Sequence, residues 1–289
     1  MPSKTVQIIR DFLYSEPVFA AAAATRLHLT EHLSGWITPA LAETLHARYP
    51  EMVRRHHGEW QLASGGSDYA SRSASLQAWA EDLRGHGLVA GWRHEAMVLR
   101  DRHGQPYAEM ERAALRALGL PTTGVHLNAL VQTADGAAMW IAERSASKAV
   151  DPGLLDNLVG GGVIGRESTA ATLTREAWEE AGLRLPHPGS PRNCLHVRRH
   201  SAHGVQDETL YVYERWLNPR FQPENRDGEL AATLRLTLPD VLDRLTRQQF
   251  TRDAALVILD GCCRQWFFGG DTQAVYEELQ AFGLYRHPA

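Results

Sequence analysis

The sequence predicts an α/β protein with a smaller α+β domain over residues 1–121 and a larger α/β/α layered domain over residues 122–289. Two observations support this division. The length of 289 residues suits about two domains. The patterns also change at Pro121: short strands and helices mix before it, whereas longer strands with helices on both sides follow it.

The first domain is expected to combine helices with short strands. Thr38 and Pro39 start one helix, because proline is favoured in the first helical turn, and Gly119 ends another. The predicted elements are a short helix over 17–24, a strand pair within 25–38, helices over 38–50 and 75–88, a strand over 59–64, and a helix over 112–119.

In the second domain, apolar strands alternate with helices. Asp135 and Gly136 mark the turn between the first two strands, and Gly204 marks a second hairpin. The predicted elements are strands over 124–133 and 137–144, a long loop through 148–157, a helix within 160–183, strands over 195–202, 208–217 and 229–238, and helices from Pro239, over 254–268 and over 271–283.

The composition excludes several classes of protein. A formal charge of −4 and a charged fraction of 22% offer no basic surface for nucleic acid or for an anionic membrane. No apolar run reaches the length of a signal peptide or of a membrane span. The three cysteines lack CxxC spacing and are expected as buried thiols. We therefore expect a cytoplasmic protein that binds neither nucleic acid nor membranes.

Residues 160–183, GGGVIGRESTAATLTREAWEEAGL, concentrate the chemistry of the chain. Ser168 caps a helix in this stretch, and Gly182 ends it. Three carboxylates fall on one face of that helix, at positions i, i+3 and i+4: Glu176, Glu179 and Glu180. Like charges repel, and the helix dipole disfavours acids at this end, so a hard divalent cation such as Mg²⁺ is the expected compensation.

Neighbouring residues complete the pattern. Arg175 lies eight residues after Glu167, so it can hold that loop carboxylate while it steers the helix acids. Gly160 and Gly161 let the backbone approach a ligand closely, and their carbonyls can join a metal shell. A solvated acidic helix face is the simpler alternative. A chance match to G-x5-E-x7-R-E-A-x-E-E-x-G-L is on the order of one in a million at average residue frequencies, which favours the metal site.

This stretch resembles the Nudix box at every defining position, from Gly161 to Leu183. The resemblance implies the Nudix fold, which is an α/β/α sandwich with a mixed sheet. It also implies hydrolysis of a nucleoside diphosphate linked to another moiety, or of a similar pyrophosphate. Carried over by position, the Mg²⁺ or Mn²⁺ ligands and their supporting residues are Glu176, Glu179, Glu180, Glu167, Arg175 and the carbonyls of Gly160 and Gly161.

The identity of the general base stays open at this point. In a pyrophosphate hydrolase, bound metal ions neutralise phosphate oxygens and orient a water, and a carboxylate accepts its proton. Glu176, Glu179 and Glu180 are candidates within the box, and Glu208 and Glu229 are candidates near strand ends outside it. The simpler interpretation of Glu208 and Glu229 is a surface or turn acid.

Segments outside the box resemble one Nudix subgroup, which includes the Nudix half of fungal thiamine pyrophosphokinase fusions. These segments are GVHLNALV (124–131), SASK (145–148), LLDNLVGGG (154–162), DGEL (227–230) and ALVILD (255–260). The resemblance implies hydrolysis of thiamine diphosphate or its oxidised analogues to the monophosphate. The alternatives are hydrolysis of ADP-ribose, NADH or a nucleotide sugar, and a non-catalytic Nudix sensor, against which the complete set of box acids argues.

Four residues are predicted to bind this substrate: Arg144, Lys148, Asn157 and Trp140. The two cations follow a strand directly before the metal loop and can reach phosphates, although a solvated loop explains them equally well. Asn157 is expected to hold the loop before the box. A thiazolium cation binds well to the face of an aromatic ring. The candidate rings are Trp92, Trp140, Tyr213 and Trp216. The simpler alternative is that these side chains belong to the core.

Three histidines lie in the predicted hairpin after the box: His196, His200 and His203. Two arginines stand between them, and no acid or cysteine completes a ligand set. A basic hairpin beside an anionic substrate is therefore favoured over a zinc site. Residues 1–121 are expected either to cap the substrate site or to form the interface of a homodimer, and the sequence supports both.

Overall fold

A computed structural model of the chain describes residues 2–16, 19–147, 150–201 and 204–285. Its helices are α1 (Lys4–Leu13), α2 (Pro39–Arg48), α3 (Tyr69–Gly85), α4 (Arg112–Ala117), α5 (Thr169–Ala181), α6 (Leu238–Thr246), α7 (Arg252–Arg264) and α8 (Thr272–Phe282). Its strands are β1 (Thr25–Thr30), β2 (Leu33–Ile37), β3 (Val53–His56), β4 (Glu59–Leu62), β5 (Ala96–Arg100), β6 (Pro106–Glu111), β7 (Thr122–Thr133), β8 (Gly136–Arg144), β9 (Leu155–Asn157), β10 (Val159–Gly162), β11 (Asn193–Ser201), β12 (Gly204–Leu217) and β13 (Leu230–Thr237).

The larger sheet has seven strands in the part of the chain that the structure describes, and it is mixed. Its strands lie in the order β11-β12-β7-β8-β13, while β10 pairs with the start of β7 and β9 pairs with β8. Strands β7 and β12 are parallel, with Val125 opposite Tyr211, and the other pairs are antiparallel. The glycine strand β10 therefore lies beside the central strand, a few residues before α5.

Helices cover both faces of this sheet, because the side chains of β7 alternate between them. On one face, Val125 and Leu127 pack with Leu173 and Ala177 of α5. On the other face, Leu130 packs with the apolar sides of α6, α7 and α8. The result is an α/β/α sandwich with a mixed sheet, which matches the predicted fold class.

A second, smaller sheet lies in the first part of the chain. Its order is β2-β1-β4-β3, with β1 and β4 parallel. Helices α2 and α3 share its core through residues such as Leu27, Leu45 and Leu76. The hairpin β5–β6 packs on α3, and the carbonyl of Ala96 accepts a hydrogen bond of 2.8 Å from the amide of Gly165, which lies between β10 and α5.

Helix α1 packs with the larger sheet, although it starts the chain. Arg252 of α7 donates hydrogen bonds to the carbonyls of Phe12 and Leu13, at 2.6 Å for Phe12, and so caps the end of α1. The buried face of α1 joins the core formed with α6, α7 and α8 through Val6, Ile9, Phe12 and Leu13. The division of the chain at residue 121 stays a prediction.

Most of the predicted helices and strands are confirmed, and the differences have local causes. The predicted loop 148–157 contains strand β9, which pairs with β8 over three residues. In the predicted helix 17–24, residues 17 and 18 lie outside the described residues, and Ala21–Ala23 form one 3₁₀ turn without a side-chain cap. The sequence patterns also missed α1, β3, the hairpin β5–β6 and β10. Glycines dominate β10, and they have little strand propensity.

The expectation from the cysteines is confirmed for Cys262 and Cys263, which are buried in the core beside α8. Burial raises the pKa of both thiols, to about 12 for Cys263. Cys194 is half-buried, and burial raises its pKa as well. Among the described residues, no helix is both long enough and apolar enough to cross a bilayer.

Two glycines allow the backbone of β2 to touch the segment that leads into β7. A Cβ atom on Gly119 would lie 1.6 Å from the carbonyl oxygen of Trp36, and Gly119 has a φ of +59°. A Cβ atom on Gly35 would lie 2.3 Å from the carbonyl oxygen of Gly119. The amide of Trp36 donates a 2.9 Å hydrogen bond to that same carbonyl. Only residues without a Cβ fit this contact.

We expect Gly119→Ala to lower the free energy of unfolding by about 2–5 kcal/mol, because it adds a left-handed backbone penalty to a steric overlap. Gly87→Ala is the matched control, since Gly87 has a φ of +71° and open space around the missing Cβ. That control should cost about 1–2 kcal/mol. Urea unfolding followed by circular dichroism measures both, and equal losses would contradict the proposed backbone contact.

Candidate active site

Helix α5 is fixed at both ends and along one face. The Ser168 hydroxyl accepts a hydrogen bond from the amide of Ala171, as an N-cap does. Gly182 adopts a left-handed conformation with φ of 62°, and the amide of Leu183 donates to the carbonyl of Ala177 at 2.8 Å. Leu173 and Ala177 of the helix pack on β7, and the carboxylates of Glu176 and Glu180 lie beside the glycine strand β10.

One guanidinium holds three of the box carboxylates. Arg175 forms two hydrogen bonds of 3.1 Å with Glu167, one to each carboxylate oxygen. Its Nη1 donates to Glu176 and to Glu179, at 2.9 Å each. Burial acts to raise the pKa of Glu167, yet the hydrogen bonds from Arg175 and Thr172 outweigh it and lower that pKa. The predicted role of Arg175 as the partner of the loop acid and the helix acids therefore agrees with its contacts.

Gly161 makes room for the carboxylate of Glu176. A Cβ atom on Gly161 would lie 2.2 Å from Oε1 of Glu176, so this position of β10 accepts no side chain while the carboxylate stays in place. Burial raises the pKa of Glu176, and repulsion from Glu179 and Glu95 adds to the effect while Arg175 opposes it. Gly161 is thus needed because it has no side chain. This role is independent of the predicted contact of its carbonyl with a metal ion.

Glu180 belongs to a second group of acids. It is 6% exposed, and its carboxylate accepts a 2.8 Å hydrogen bond from the amide of Gly160. Carboxylate oxygens of Glu180, Asp227 and Glu229 all lie within 4.8 Å of one another. Glu229 was a candidate from the sequence, whereas Asp227 was missed. The signal was present in the same DGEL segment, of which Asp227 is the first residue.

The segment 224–229 is tied to the end of α5, which places these two acids. The amide of Glu224 donates to the carbonyl of Ala181 at 3.0 Å, and the amide of Arg226 donates to that of Glu179 at 2.9 Å. These bonds satisfy carbonyls that a helix end leaves without partners. The indole of Trp178 also lies between two guanidinium groups, 4.5 Å from Arg184 and 3.9 Å from Arg226.

The donor set fits a hard divalent cation. Glu180, Asp227 and Glu229 offer carboxylate oxygens, and Mg²⁺ and Mn²⁺ prefer oxygen ligands. Three acids this close together repel one another unless positive charge lies between them. The group also lies at the carboxyl end of α5, where the helix dipole adds to that repulsion.

Of the residues predicted to bind substrate, the three that the structure describes contact groups other than these acids. Arg144 forms a 2.8 Å ion pair with Asp156 and donates to carbonyls of the loop that follows it. Asn157 is 3% exposed and bonds with His126 and Asn128 inside the sheet. Trp140 is 6% exposed in the core under α5, because strand alternation turns it inward. Lys148 lies outside the described residues.

The other acid and aromatic candidates are distributed over the fold. Glu208 is buried, with Gln206 and Arg116 as its contacts, on the face of the sheet opposite α5. Tyr213 is buried, and its hydroxyl donates to Thr169 at 2.8 Å. Trp216 is 47% exposed and pairs with Leu130, far along β7 from the glycine strand. Trp92 lines an open cavity of about 510 Å³.

The histidines of the β11–β12 hairpin do not form a zinc site in the part of the chain that the structure describes. His196 bonds through Nε2 to Asp207 at 2.6 Å, and Arg198 bonds to the other oxygen of that carboxylate. His200 stacks on Phe19. His203 lies outside the described residues. Asp207 pairs with Arg198, while Glu16 and Asp253, outside the hairpin, pair with Arg199. These acids weaken the expectation of a basic surface.

A residue of the first part of the chain also reaches the acids of segment 224–229, and no sequence pattern indicated it. Arg93 lies 3.8 Å from Glu229, and Glu95 forms a 2.9 Å ion pair with Arg112. The contact of Arg93 with Glu229 joins segments more than a hundred residues apart, so periodicity and spacing cannot reveal it. Residues 1–121 thus contact the acids of segment 224–229 through Arg93, while their expected role as a cap of the substrate site or as a dimer interface stays a prediction.

Comparison with known proteins assigns families to both parts of the chain. The NUDIX domain family matches residues 122–255, and a domain of unknown function, DUF4743, matches residues 5–122. Nudix hydrolase 20, chloroplastic, of Arabidopsis thaliana is 26% identical over 82% of this chain and 68% of that protein. Nudix hydrolase 24, chloroplastic, of the same plant is 29% identical over 62% of this chain and 50% of that protein.

The chain thus spans between half and about two thirds of the length of these relatives. The crystal structure of DR0079 from Deinococcus radiodurans is 21% identical, with a TM-score of 0.43, over 56% of this chain and 97% of that chain. The NUDIX match includes the complete box, the sheet that supports it and the acids of segment 224–229. Residues 122–255 therefore match the NUDIX domain family, and the chain is similar to Nudix hydrolases, a class of enzymes that acts on pyrophosphate bonds.

Proposed function

We propose that the protein is a divalent-metal-dependent pyrophosphohydrolase whose reaction takes place at the acids beside α5. The observation that supports this most directly is the group of Glu180, Asp227 and Glu229, with carboxylate oxygens within 4.8 Å of one another. Arg175 holds Glu176 and Glu179 immediately next to this group. A non-catalytic sensor would have no use for such a complete set of acids.

Mg²⁺ or Mn²⁺ would be held by Glu180, Asp227 and Glu229, with Glu179 directly before Glu180 in the helix and Glu176 one turn earlier. When bound, the ion supplies positive charge that neutralises the phosphate oxygens and favours attack by water. Glu167 orients Arg175, whose other contacts fix the two helix acids. Gly160 fixes Glu180 through its amide.

The hydrolysis itself adds water across one phosphoric anhydride bond. The water oxygen bonds to phosphorus, the bridging P–O bond breaks, and a carboxylate takes the proton. Glu180 is buried, whereas Asp227 is exposed and Glu229 is partly exposed. We therefore assign the proton acceptor to Asp227 or Glu229, because water reaches these two carboxylates directly.

The proposed substrate is thiamine diphosphate or an oxidised analogue, which would yield the monophosphate and inorganic phosphate. The sequence resemblance supports it, and so does the cavity lined by Trp92, His94 and Glu81, in which Arg84 lies 4.9 Å from the Trp92 ring. The Trp92 ring already packs against the guanidinium of Arg84, and a cationic heterocycle suits the same ring and the Glu81 carboxylate. Chromatographic detection of the monophosphate products from thiamine diphosphate, ADP-ribose, NADH and a nucleotide sugar compares this substrate with the alternatives, because hydrolysis of the last three gives two phosphate monoesters and no inorganic phosphate. Faster hydrolysis of any of the last three would replace it.

Glu180→Gln should lower kcat for pyrophosphate hydrolysis by about 100-fold or more, because it removes charge while an oxygen remains to accept the Gly160 amide. Glu277→Gln on α8 is the matched control, since Glu277 is exposed and bonds only to Gln273 in its own helix among the described contacts. Phosphate release with Mg²⁺ measures both variants, and EDTA should abolish wild-type activity. Equal rates in the two variants would remove Glu180 from the proposed site.

Gly161→Ala should lower hydrolysis by about 10-fold to 100-fold with a small effect on thermal stability, because its Cβ displaces the Glu176 carboxylate. Gly85→Ala, at the end of α3, is the control, since a Cβ there meets nothing within 4 Å. Steady-state kinetics and thermal unfolding together separate a displaced carboxylate from a damaged fold. Wild-type kinetics in Gly161→Ala would show that the position of Glu176 is unimportant.

Trp92→Ala should raise KM for thiamine diphosphate by about 3-fold to 30-fold, as expected for loss of a contact between an aromatic ring and a cation. Trp216→Ala removes an exposed indole distant from the glycine strand and should leave KM unchanged. Initial rates over a range of substrate concentrations give both values. If the two variants share one KM, the cavity does not bind the thiazolium group.

A further inference from the structure

The part of the chain before residue 122 places two arginines at the edge of the acidic site. Arg93 lies between α3 and β5, and its Nη1 is 3.8 Å from Oε1 of Glu229. Arg112 starts α4, and its Nη1 is 2.9 Å from Glu95. The Arg112 guanidinium also lies 3.5 Å from the position that a Cβ on Gly162 would take. One arginine therefore faces the acids of segment 224–229, and the other faces the glycine strand.

A buried carboxylate fixes the backbone that carries Arg93. Glu111 is 2% exposed, and its two oxygens accept hydrogen bonds from the amides of Arg93 at 2.9 Å and of Glu95 at 3.0 Å. The amide of Glu111 in turn donates to Gln77 of α3 at 2.9 Å. A carboxylate buried in this way is costly without partners, so these bonds make a rigid support for residues 93–95.

The same support includes Arg112 and the box loop. The amide of Arg112 donates to the carbonyl of Glu95 at 2.8 Å. The carbonyl of Ala96 accepts the amide of Gly165 at 2.8 Å, and Met97 forms a bridge with Gly165. The residues around both arginines are thus joined through the backbone to the loop between β10 and α5. Their positions relative to the box follow from these bonds.

We propose that Arg93 and Arg112, the arginine pair, bind phosphate oxygens of the substrate, so that DUF4743 completes the Nudix site. This inference rests on the proposed pyrophosphohydrolase function. The guanidinium of Arg175 is already committed to Glu167, Glu176 and Glu179, and a diphosphate brings negative charge that the metal-binding acids do not attract. Arginine matches the geometry of phosphate oxygens.

The contacts of the arginine pair are compatible with an exchange of partners. At 3.8 Å, Arg93 and Glu229 form an ion pair without a hydrogen bond, and their side chains are 30% and 40% exposed. A phosphate oxygen can therefore take the place of this carboxylate at low cost. Arg112 is 23% exposed and can keep Glu95 through one nitrogen while another faces the ligand. Glu111 acts as a positioning residue, because it touches the backbone of Arg93 and not the substrate.

Calorimetric binding of methylenediphosphonate in the presence of Mg²⁺ tests the pair without any need for hydrolysis, since this diphosphate analogue has no bridging oxygen. Arg93→Ala and Arg112→Ala should each weaken its binding about tenfold, the loss of one charge-assisted hydrogen bond. Arg54→Ala, an exposed arginine of β3, is the control and should bind as the wild type does. Equal affinity in all four proteins would overturn the proposal, as would failure of the wild type to bind the analogue.

Mg²⁺ binding without the analogue separates a phosphate contact from a simple counter-ion. If Arg93 only neutralises Glu229, Arg93→Ala should tighten Mg²⁺ binding and leave the affinity for the analogue unchanged, which contradicts the proposal. The proposal expects weaker binding of the analogue at saturating Mg²⁺. Arg93→Lys keeps the charge and loses the planar fork, so its affinity should fall between those of Arg93→Ala and the wild type.

Glu111→Gln tests the positioning role, because an amide presents one acceptor where the carboxylate presents two. It should weaken analogue binding about as much as Arg93→Ala does, and the double variant should bind as Arg93→Ala alone does. Additive losses would show that Glu111 acts through general stability. If Glu111→Gln does not fold, the arginine variants still decide the proposal. If wild type and Arg93→Ala hydrolyse the substrate with the same KM, the proposed role of the arginine pair is wrong and the proposed function stands. If binding of the analogue depends on the arginines but no hydrolysis occurs, the proposed function is wrong and the role of the pair stands.

Discussion

The repulsion among carboxylates at the end of α5 is the constraint on which the site depends. Glu176, Glu179 and Glu180 crowd the helix end that already disfavours negative charge, and Arg175 offsets this for the first two. Glu180 is directed to the other side, where the Gly160 amide receives it. The helix thus carries one group of acids neutralised within the protein and another that a cation can complete.

Three separate segments of the chain meet at this helix, and each has a different role in the site. Strand β10 contributes space, because Gly161 leaves the Glu176 carboxylate a place. Segment 224–229 contributes two further acids and caps the last carbonyls of α5. Residues 93–112 contribute the arginine pair, held by Glu111. Acidic and basic residues therefore come from distant parts of the sequence, and the parts before and after residue 122 both contribute.

The sequence predicted what depends on local order, and it missed what depends on long-range contact. The box appeared as a spacing of residues, and the helix caps at Ser168 and Gly182 followed from short-range chemistry. Asp227 and Arg93 carry no periodic signal, since only the tertiary fold brings them to Glu180 and Glu229. Trp140 was expected at the substrate because of its type, but strand alternation buries it. Residue spacing therefore predicts which side chains share a helix face more reliably than it predicts which distant residues come into contact.

Helix α1 has a consequence for how the two halves of the chain can be separated. It covers the apolar surface of α6, α7 and α8 with four buried side chains, each of which stabilises the fold by about 1.5–3 kcal/mol. In a fragment that began at residue 122, this apolar surface would be exposed to solvent, and Arg252 would lack the two carbonyls to which it donates. Such a fragment is expected to aggregate. Recombination that transfers residues 122–289 to another protein is therefore expected to give a stable domain only if α1 is transferred as well.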